Sequence, residues 1–395
     1  MIAPRGIERR RFLAGSVAVG ALSIAGCAGF RGDDEDGLDG AQLETVAEGL
    51  AHPWAMAFLP DESRLLVTER DGHLTLVDRD DGDRETVDGT PAVLAEGQGG
   101  MLDVALGPDY RDESWLYLTY AGANDAGEST THLGRGRLDA DAAELEEFEK
   151  LHAVEPFDSS TAHYGSRVVF GEDDTLFLTV GDRASKEFGP DHYSQDTTNE
   201  IGATLRLTPD GEVPDDNPFV DDADVEDSIY SYGHRNAQGM TIHPETGELW
   251  QSEHGEEDGD ELNVIEPGGN YGWPIAHTGC QYGTDDPVGD DPFDREDVVD
   301  PVYYWECTTG GFPPAGMTFY DGEAFPEWEG DLFVGNLGGA YLGRFAVDGH
   351  DVEELAPLLD DRGWRIRDVA VAPDTGHLYV AVDAADAPIV RLVPD

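Results

Sequence analysis

The sequence predicts an all-β fold, a six-bladed β-propeller, from three observations. One phrase recurs six times along 395 residues: alternating apolar residues, a turn rich in Pro, Asp or Gly, and a second apolar run. The alternation has the period of two that is typical of β-strands. The 49 glycines suit a fold with many tight turns. No helical segment of comparable strength separates the copies.

Each copy contains an apolar residue that ends its first run, just before the turn. In chain order these residues are Phe58, Leu106, Phe170, Ile242, Phe319 and Val371. Consecutive copies are far enough apart to hold one four-stranded blade with its loops. Two packed sheets would also fit the spacing, but six similar copies favour a ring. The strand after residue 41 is then expected to close the ring against the last blade.

The charge of the chain limits its partners and its environment. Acidic residues number 84 and basic residues 24, which gives a net charge of −60, so nucleic acid is excluded as a partner. Only Lys150 and Lys186 are lysines, and 39% of the residues are hydrophobic. Because 1 M salt shortens the Debye length to about 3 Å, such a surface is typical of a folded protein adapted to high salt.

The N-terminal residues indicate export. Three arginines, Arg9, Arg10 and Arg11, precede an apolar stretch that ends before Cys27, a pattern that resembles a twin-arginine signal with a lipoprotein cleavage box. We predict a signal over residues 1–27, a flexible acidic tether over 28–41 and the propeller over 42–395, with the protein lipid-anchored through Cys27 at the extracellular face of the membrane. The alternative is an ordinary cleaved signal in which Cys27 is incidental.

Two cysteines remain, Cys280 and Cys307. In an oxidising compartment an even pair usually forms a bridge. We therefore expect a disulfide between them.

Residues just before the six inner strands are expected to meet at one mouth of the ring, since a propeller brings equivalent loop positions around its axis. They are His52, Trp54, Gln98, His163, Arg235, Asn236, Pro313, Pro314, Arg365 and Arg367. Three arginines suggest a polyanionic ligand, although they could instead neutralise nearby carboxylates. Arg365 and Arg367 would point to the same face. His163 could take a proton from a hydroxyl group, or could be an ordinary surface histidine.

An acidic segment follows at Ser252, with the sequence SEHGEEDGDELNVIEPGGNYGWP. Its carboxylates and exposed carbonyls suit calcium, but it does not match an EF-hand loop, and a solvated surface is the alternative. The sequence contains no GxSxG elbow, Walker loop, Rossmann fingerprint or zinc-spaced Cys and His set. The common forms of hydrolase, nucleotide and zinc chemistry are thereby disfavoured.

Seven motifs in order, HPWAMAF, GQGGMLDVALGPDY, HYGSRVVFG, SYGHRNAQGM, SEHGEEDGDELN, GGNYGWP and RIRDVAVAPD, resemble the soluble sugar dehydrogenases that depend on pyrroloquinoline quinone (PQQ). The resemblance extends from about residue 42 to the end. It implies a calcium- and PQQ-dependent enzyme, a monomer or homodimer, that oxidises an aldose at its C1 hydroxyl to a lactone by hydride transfer to the quinone. Electrons would pass to an external acceptor.

The same resemblance implies roles for particular residues. His163 would be the general base and Arg235 would stabilise charge on the quinone oxygen. Positions that match the cofactor site are Gln98, Asp182, Arg235, Asn236, Arg365 and Arg367. Positions that match calcium ligands are the carbonyls of Gly255 and Glu256, and, for a second ion, the Glu261 carboxylate and the Tyr271 carbonyl.

The chain departs from the family pattern at four places. Many relatives have proline where this chain has Glu256 and where it has Ala237, and the glucose-oxidising members have a lysine where it has Gly338. The stretch between Trp305 and Met317 is also longer. Two alternatives to the enzyme stay open: a non-catalytic propeller that binds sugars or surfaces, and a calcium-dependent lactonase-type propeller, which would need carboxylates rather than arginines at the axis.

Overall fold

A computed structural model describes residue 38, residues 40–60 and residues 63–395. The predicted export signal, Cys27 and most of the predicted tether lie outside the described residues. The propeller begins slightly before the predicted boundary, since Ala41 starts a strand and Leu38 is buried in the core with 3% exposure. In the described part of the chain no helix is both long enough and apolar enough to span a membrane.

Six four-stranded antiparallel sheets form the blades. Blade 1 consists of Pro53–Phe58, Arg64–Glu69, His73–Asp78 and Arg84–Thr86. Blade 2 consists of Met101–Leu106, Trp115–Ala123, Ser129–Asp139 and Glu144–Ala153. Blade 3 consists of Val168–Phe170, Leu176–Thr179, Ala203–Leu207 and Ile229–Tyr232.

Blades 4 to 6 also have four strands each, but blade 4 contains an inserted hairpin and blade 6 takes its outer strand from the N-terminal part of the propeller. Blade 4 consists of Ala237–Ile242, Leu249–Glu253, Glu261–Val264 and Tyr303–Tyr304. Blade 5 consists of Pro314–Phe319, Leu332–Asn336, Leu342–Asp348 and Asp351–Glu354. Blade 6 consists of Ile366–Val371, Leu378–Val382, Ala387–Pro394 and the N-terminal strand Ala41–Leu50.

Few other elements occur among the described residues. A two-stranded hairpin, Ala276–Cys280 with Pro287–Gly289, is inserted before the last strand of blade 4. The single short α-helix is Tyr110–Glu113. Three 3-10 turns complete the set: Tyr193–Gln195, Pro292–Asp294 and Pro326–Trp328. The prediction of an all-β propeller with six blades is confirmed.

The six apolar residues that ended the repeated runs are the last residues of the six innermost strands. Each inner strand contacts the inner strands of the blades before and after it, so that the ring is continuous. The apolar side chains alternate toward the neighbouring blades and form the clusters between them. The alternation of apolar residues in the sequence therefore arises from the packing of each blade against its neighbours.

The ring closes through the N-terminal strand, as the sequence predicted. Ala41–Leu50 pairs antiparallel with Ala387–Pro394, from Ala41 opposite Pro394 to Leu50 opposite Ala387. The outermost strand of blade 6 thus comes from the start of the propeller. This pairing joins the first strand of the propeller to the last blade within one sheet.

The expected disulfide is present. Cys280 and Cys307 are bonded, with their Cα atoms 5.5 Å apart. The bond joins the inserted hairpin to the loop that leads into blade 5. Cys280 also exchanges backbone hydrogen bonds of 2.9 and 3.1 Å with Glu257. The acidic loop between the second and third strands of blade 4 is therefore tied to this hairpin.

A buried ionic cluster occupies the axis of the ring. The Arg167 guanidinium, which enters just before blade 3, lies 3.1 Å from the Asp103 carboxylate of blade 2 and 3.2 Å from that of Asp368 in blade 6. It also donates to the Gln238 carbonyl of blade 4 at 3.1 Å and lies 4.4 Å from the Trp54 ring of blade 1. Burial, together with the charge of Asp368 and against the opposing effect of Arg167, raises the pKa of Asp103 to about 6.

Arg167→Met tests this cluster. The substitution keeps most of the volume but leaves two buried carboxylates without their cation, so we expect the free energy of unfolding to fall by about 3–5 kcal/mol. Urea unfolding in molar salt measures it. The loss should shrink as the pH falls toward about 6, because Arg167 lowers the pKa of Asp103 and its removal lets the buried carboxyl take up a proton at higher pH than in the parent protein.

The exposed Arg111 supplies the control. Arg111→Met should leave the unfolding free energy within about 0.5 kcal/mol of the parent value. Equal effects of the two substitutions, or an effect of Arg167→Met that does not change with pH, would show that the axial cluster does not stabilise the ring.

Candidate functional site

His163 and Asp182 form a hydrogen-bonded pair at one mouth of the ring. His163 precedes the inner strand of blade 3, and Asp182 follows its second strand. Because the two strands are antiparallel, the start of one and the end of the other lie at the same mouth. His163 Nδ1 is 2.6 Å from Asp182 Oδ1. The His163 backbone has a φ of 49°, a left-handed conformation of the kind that often marks functional sites.

Asp182 is held by several donors besides His163. Its Oδ2 accepts a 2.8 Å hydrogen bond from Trp273 Nε1, and its Oδ1 accepts one from the Ala184 backbone N–H at 2.8 Å. The Asp182 N–H donates to the Arg235 carbonyl at 2.7 Å. An ionised Asp182 requires the proton of the neutral imidazole to lie on Nδ1. His163 Nε2 is then left with a free lone pair.

The electrostatic surroundings favour a neutral His163. Burial lowers its pKa below the ordinary value, and the positive charges of Arg235 and Lys186 act in the same direction, while Asp182 opposes them. Burial acts to raise the pKa of Asp182, but the hydrogen bond and charge of His163 and the charge of Arg235 outweigh it, and this pKa is lowered. The pair thus combines a carboxylate with a neutral imidazole, whose Nε2 can accept a proton near neutral pH.

A cavity of about 200 Å³ opens at the same mouth. Its lining comes from five of the six blades and their loops: Trp54, Arg70, Gln98, Gln238, His254, Pro313, Leu337, Arg365, Arg367 and Asp383. Three of these side chains are arginines and one is a carboxylate. The cavity wall therefore carries an excess of positive charge within a strongly acidic chain.

Asp383 pairs with both arginines of blade 6. Its Oδ2 lies 3.1 Å from Arg367 and 3.3 Å from Arg365, and its Oδ1 lies 2.8 Å from His52. The side chain of Arg365 is 51% exposed, whereas that of Arg367 is 7% exposed. The two arginines thus share one carboxylate, and both line the cavity.

Several guanidinium nitrogens at this mouth lack an acceptor. Among the described residues, the buried Nε atoms of Arg70, Arg235 and Arg367 have no hydrogen-bond partner. Buried donors are normally satisfied, so each such atom needs an explanation. A bound ligand with several anionic oxygens would supply the missing acceptors.

Gln98 and Asn236 hold the backbone around His163. Gln98 Oε1 accepts the His163 N–H at 2.9 Å, and Asn236 Oδ1 accepts the Gly165 N–H at 3.2 Å. The sequence predicted both amides as cofactor contacts. The structure shows each of them in direct contact with the loop that carries the imidazole.

Arg235 lies beside the cavity rather than in its wall. Its guanidinium is 2.7 Å from Glu256 Oε2, 3.3 Å from the His254 carbonyl and 5.1 Å from the centre of the Trp273 ring. Since Trp273 and the Arg235 carbonyl both contact Asp182, this arginine and the His163 pair form one continuous group.

The two carbonyls predicted to bind calcium lie next to Arg235. The Gly255 N–H donates to Asp260 Oδ1 at 3.0 Å, which turns the loop, and neither the Gly255 nor the Glu256 carbonyl accepts a hydrogen bond from the described residues. Free carbonyl oxygens fit a hard cation. Nowhere in the described ranges do three or more His, Cys, Asp or Glu side chains converge so as to hold a metal, so such an ion would depend on backbone ligands.

Glu261 and Tyr271 lie around a second acidic group. Glu261 is opposite Glu253 in blade 4, and Glu253 contacts His234 at 2.8 Å. The His234 ring stacks on Tyr271 with centroids 4.7 Å apart. Burial, and then the charge of Glu253, raise the pKa of Glu261 to about 8. A cation between these groups would relieve the repulsion of two buried carboxylates.

The comparisons with known proteins fit this geometry. A family model described as Glucose / Sorbosone dehydrogenase matches residues 50–391. The chain belongs to the glucose/sorbosone dehydrogenase family. It is 37% identical over 357 residues to aldose sugar dehydrogenase YliI of Escherichia coli, covering 89% of this chain and 92% of that one. It is 27% identical over 413 residues to quinoprotein glucose dehydrogenase B of Acinetobacter calcoaceticus, with 87% and 85% covered.

Solved structures of the glucose/sorbosone dehydrogenase family share the fold. The apo-form of the soluble aldose sugar dehydrogenase from E. coli superimposes with a TM-score of 0.82 at 37% identity, covering 90% of this chain and 100% of that one. The PQQ-bound form of aldose sugar dehydrogenase from Streptomyces coelicolor gives a TM-score of 0.73 at 29% identity, with 90% and 98% covered.

Sequence reasoning missed several residues of the site in this family member. They are Arg70, Gln238, His254, Trp273 and Asp383. Arg70, His254 and Asp383 directly follow the second strands of blades 1, 4 and 6. An antiparallel second strand ends where the first begins, so the repeat alignment could have identified these three positions.

The position of the absent family lysine is filled by a neighbour. A Cβ atom on Gly338 would lie 2.6 Å from Pro313 Cγ, and Pro313 itself lines the cavity. A larger side chain at residue 338 would therefore have to displace that ring. In this chain the positive charge of the cavity wall comes from arginines alone.

The titration of His163 can be followed by NMR of the histidine side chains, with His163→Gln identifying the signal. We expect a midpoint below the ordinary value of 6.5. Asp182→Asn should lower it further, by about 1 unit or more, because the anionic partner that favours the imidazolium is gone. The exposed His73 is the internal control. A midpoint at or above 6.5, or one that Asp182→Asn raises, would contradict this electrostatic account.

Proposed function

We propose that this protein oxidises aldose sugars at C1 to the lactone, with PQQ and calcium, and passes the electrons to an acceptor outside the cell. One observation carries the proposal: His163 Nε2 is left free by the contact with Asp182, beside a cavity walled by three arginines, of which Arg70 and Arg367 each have a buried Nε without a hydrogen-bond partner among the described residues. The family membership and the PQQ-bound relative support it.

The residues at the mouth suit PQQ, a planar ligand with several carboxylates. Arg70, Arg365 and Arg367 face the cavity against the single carboxylate of Asp383, and guanidinium groups bind carboxylates in a fixed fork geometry. Gln98, Asn236 and Arg235 would complete the contacts. When bound, PQQ supplies the hydride acceptor. The carbonyls of Gly255 and Glu256 would hold the calcium that acts as Lewis acid, and Glu261 with Tyr271 a structural calcium.

Oxidation at C1 removes a proton from the hydroxyl group and a hydride from the carbon atom. His163 Nε2 takes the proton of the C1 hydroxyl while the C1 hydrogen departs as hydride, so that C1 becomes the lactone carbonyl. Asp182 keeps the imidazole ring oriented and stabilises the imidazolium that forms. The buried Arg235 guanidinium stabilises the negative charge that develops on the acceptor side. Water is displaced from the narrow cavity, which strengthens these interactions.

The cellular setting is part of the proposal and depends on the sequence of residues 1–27. We place the enzyme on the extracellular face of the membrane, anchored by a lipid on Cys27, as a monomer or homodimer in high salt. The acidic coat of the chain suits that solvent.

The decisive experiment uses the purified apoprotein in molar salt. Calcium and PQQ are added, and dye reduction is followed on a panel of aldoses. Activity should require both additions, and His163→Gln should lower kcat by about 10²–10⁴-fold, because it removes the general base. PQQ binding should persist in this variant. It can be followed by tryptophan fluorescence, because Trp54 lines the cavity.

His73→Gln is the matched control, because His73 is an exposed histidine paired with Asp71 at the surface, and it should keep the parent kcat. If no PQQ binds and no aldose is turned over, the dehydrogenase proposal fails, and a non-catalytic sugar-binding propeller becomes the better account.

A further inference from the structure

Glu256 is a buried carboxylate that contacts two cations. It lies in the loop after the second strand of blade 4, and its side chain is 3% exposed. Oε2 accepts a hydrogen bond of 2.7 Å from Arg235 Nη2, while Oε1 pairs with Lys186 Nζ. Both oxygens are therefore engaged, and the site proposed above uses only the backbone carbonyl of this residue.

Lys186 connects this carboxylate with the rim of the mouth. It is one of two lysines in the chain, and its side chain is 53% exposed. Nζ lies 5.0 Å from the centre of the Tyr282 ring and 5.8 Å from that of Phe188. The other lysine, Lys150, is exposed at the outer strand of blade 2. Lys186, Glu256 and Arg235 thus form a chain of contacts from the rim to the buried guanidinium.

The rest of Arg235 is fixed independently of Glu256. Its backbone N–H donates to the Glu253 carboxylate, and its carbonyl accepts from the Asp182 N–H at 2.7 Å. The guanidinium has weaker restraints, a 3.3 Å contact with the His254 carbonyl and an Nε without a partner. Among the described residues Glu256 is the one anionic side chain that pairs with it. The shortest contact of the guanidinium is thus its 2.7 Å hydrogen bond with Glu256, next to the longer contacts with the His254 carbonyl and the Trp273 ring.

We propose that the Glu256 side chain is a positioning residue that orients Arg235 for the reaction, and that Lys186 fixes Glu256 by binding its second oxygen. The inference rests on the proposed function, because it assigns a role to the arginine of that reaction. A charge-assisted contact at each oxygen removes the rotational freedom of the carboxylate. Misplacement of a reacting group by about 1 Å can cost about 10²-fold in rate, so this restraint bears on kcat.

The backbone of this loop is held by other contacts. Glu257 exchanges backbone hydrogen bonds with Cys280, whose disulfide ties the hairpin to the next loop, and the Gly255 N–H binds Asp260. Glu256→Gln therefore changes the side chain and leaves the carbonyl in place. A change in kcat on this substitution can be attributed to the side chain.

The experiment measures kcat, KM for the sugar and PQQ affinity for Glu256→Gln, Lys186→Met and the double variant. We expect Glu256→Gln to lower kcat about 10- to 100-fold with KM changed less than about 3-fold. Lys186→Met should lower kcat about 3- to 10-fold, and Lys186→Arg should restore most of it. The double variant should match Glu256→Gln alone, because the lysine acts through the carboxylate. Lys150→Met is the matched control and should keep the parent kcat.

A second measurement does not require turnover. In NMR spectra of the arginine side chains of the apoprotein, the Arg235 Nε signal, identified with Arg235→Lys, should shift in Glu256→Gln and in Lys186→Met and stay unchanged in Lys150→Met. If the parent protein oxidises no sugar, the proposed function fails, and these spectra still test the restraint on Arg235. Since Lys186 lies at the surface, its variant tests the inference even if Glu256→Gln fails to fold.

Three results would overturn the inference. An unchanged or higher kcat in Glu256→Gln would mean that the carboxylate only neutralises a buried charge or draws Arg235 away from the reaction. Additive effects in the double variant would separate Lys186 from Glu256. An Arg235 signal that responds to neither substitution would show that the guanidinium is oriented by its other contacts.

Discussion

Arg167 contacts the inner edges of most of the ring from a single position on its axis. Its guanidinium binds carboxylates from blades 2 and 6 and a carbonyl from blade 4, and it lies over the Trp54 ring of blade 1. Blade 5 approaches through Gly316, where a Cβ atom would collide with Asp368. The ring diameter therefore depends on one buried cation and on a glycine beside it. Apolar packing alone, being non-directional, would not specify these distances.

The antiparallel order of the strands brings the residues of the site together at one mouth of the ring. Residues before a first strand and after a second strand of one blade reach the same mouth, which is how His163 meets Asp182 and how Arg365 meets Asp383. Neither pair depends on a long flexible loop. The cavity wall is positively charged although the chain is acidic, because three arginines and a single carboxylate, that of Asp383, line it.

Much of the fold could be predicted from the sequence because blade packing repeats along the chain. Phe58 and its five equivalents ended the inner strands as expected, and the closing strand and the disulfide were also found. For the site, the repeat placed Gln98, Arg365 and Arg367 correctly at one mouth. It did not give the pairing of Arg235 with Glu256 and Lys186, because those contacts join loops of different length that have no equivalent in other blades. Arg70 and Asp383 were missed because only first strands were aligned.

The closure of blade 6 has a consequence for how the molecule is made. Residues 41–50 leave the ribosome before any other strand of the propeller, yet their partner Ala387–Pro394 is translated last. Until then the first five blades can form their local hairpins, but blade 6 is incomplete and the circle stays open. Contacts of such large sequence separation form slowly. Assembly of the mouth is thus post-translational, and a nascent chain that stops before Ala387 cannot form a closed ring.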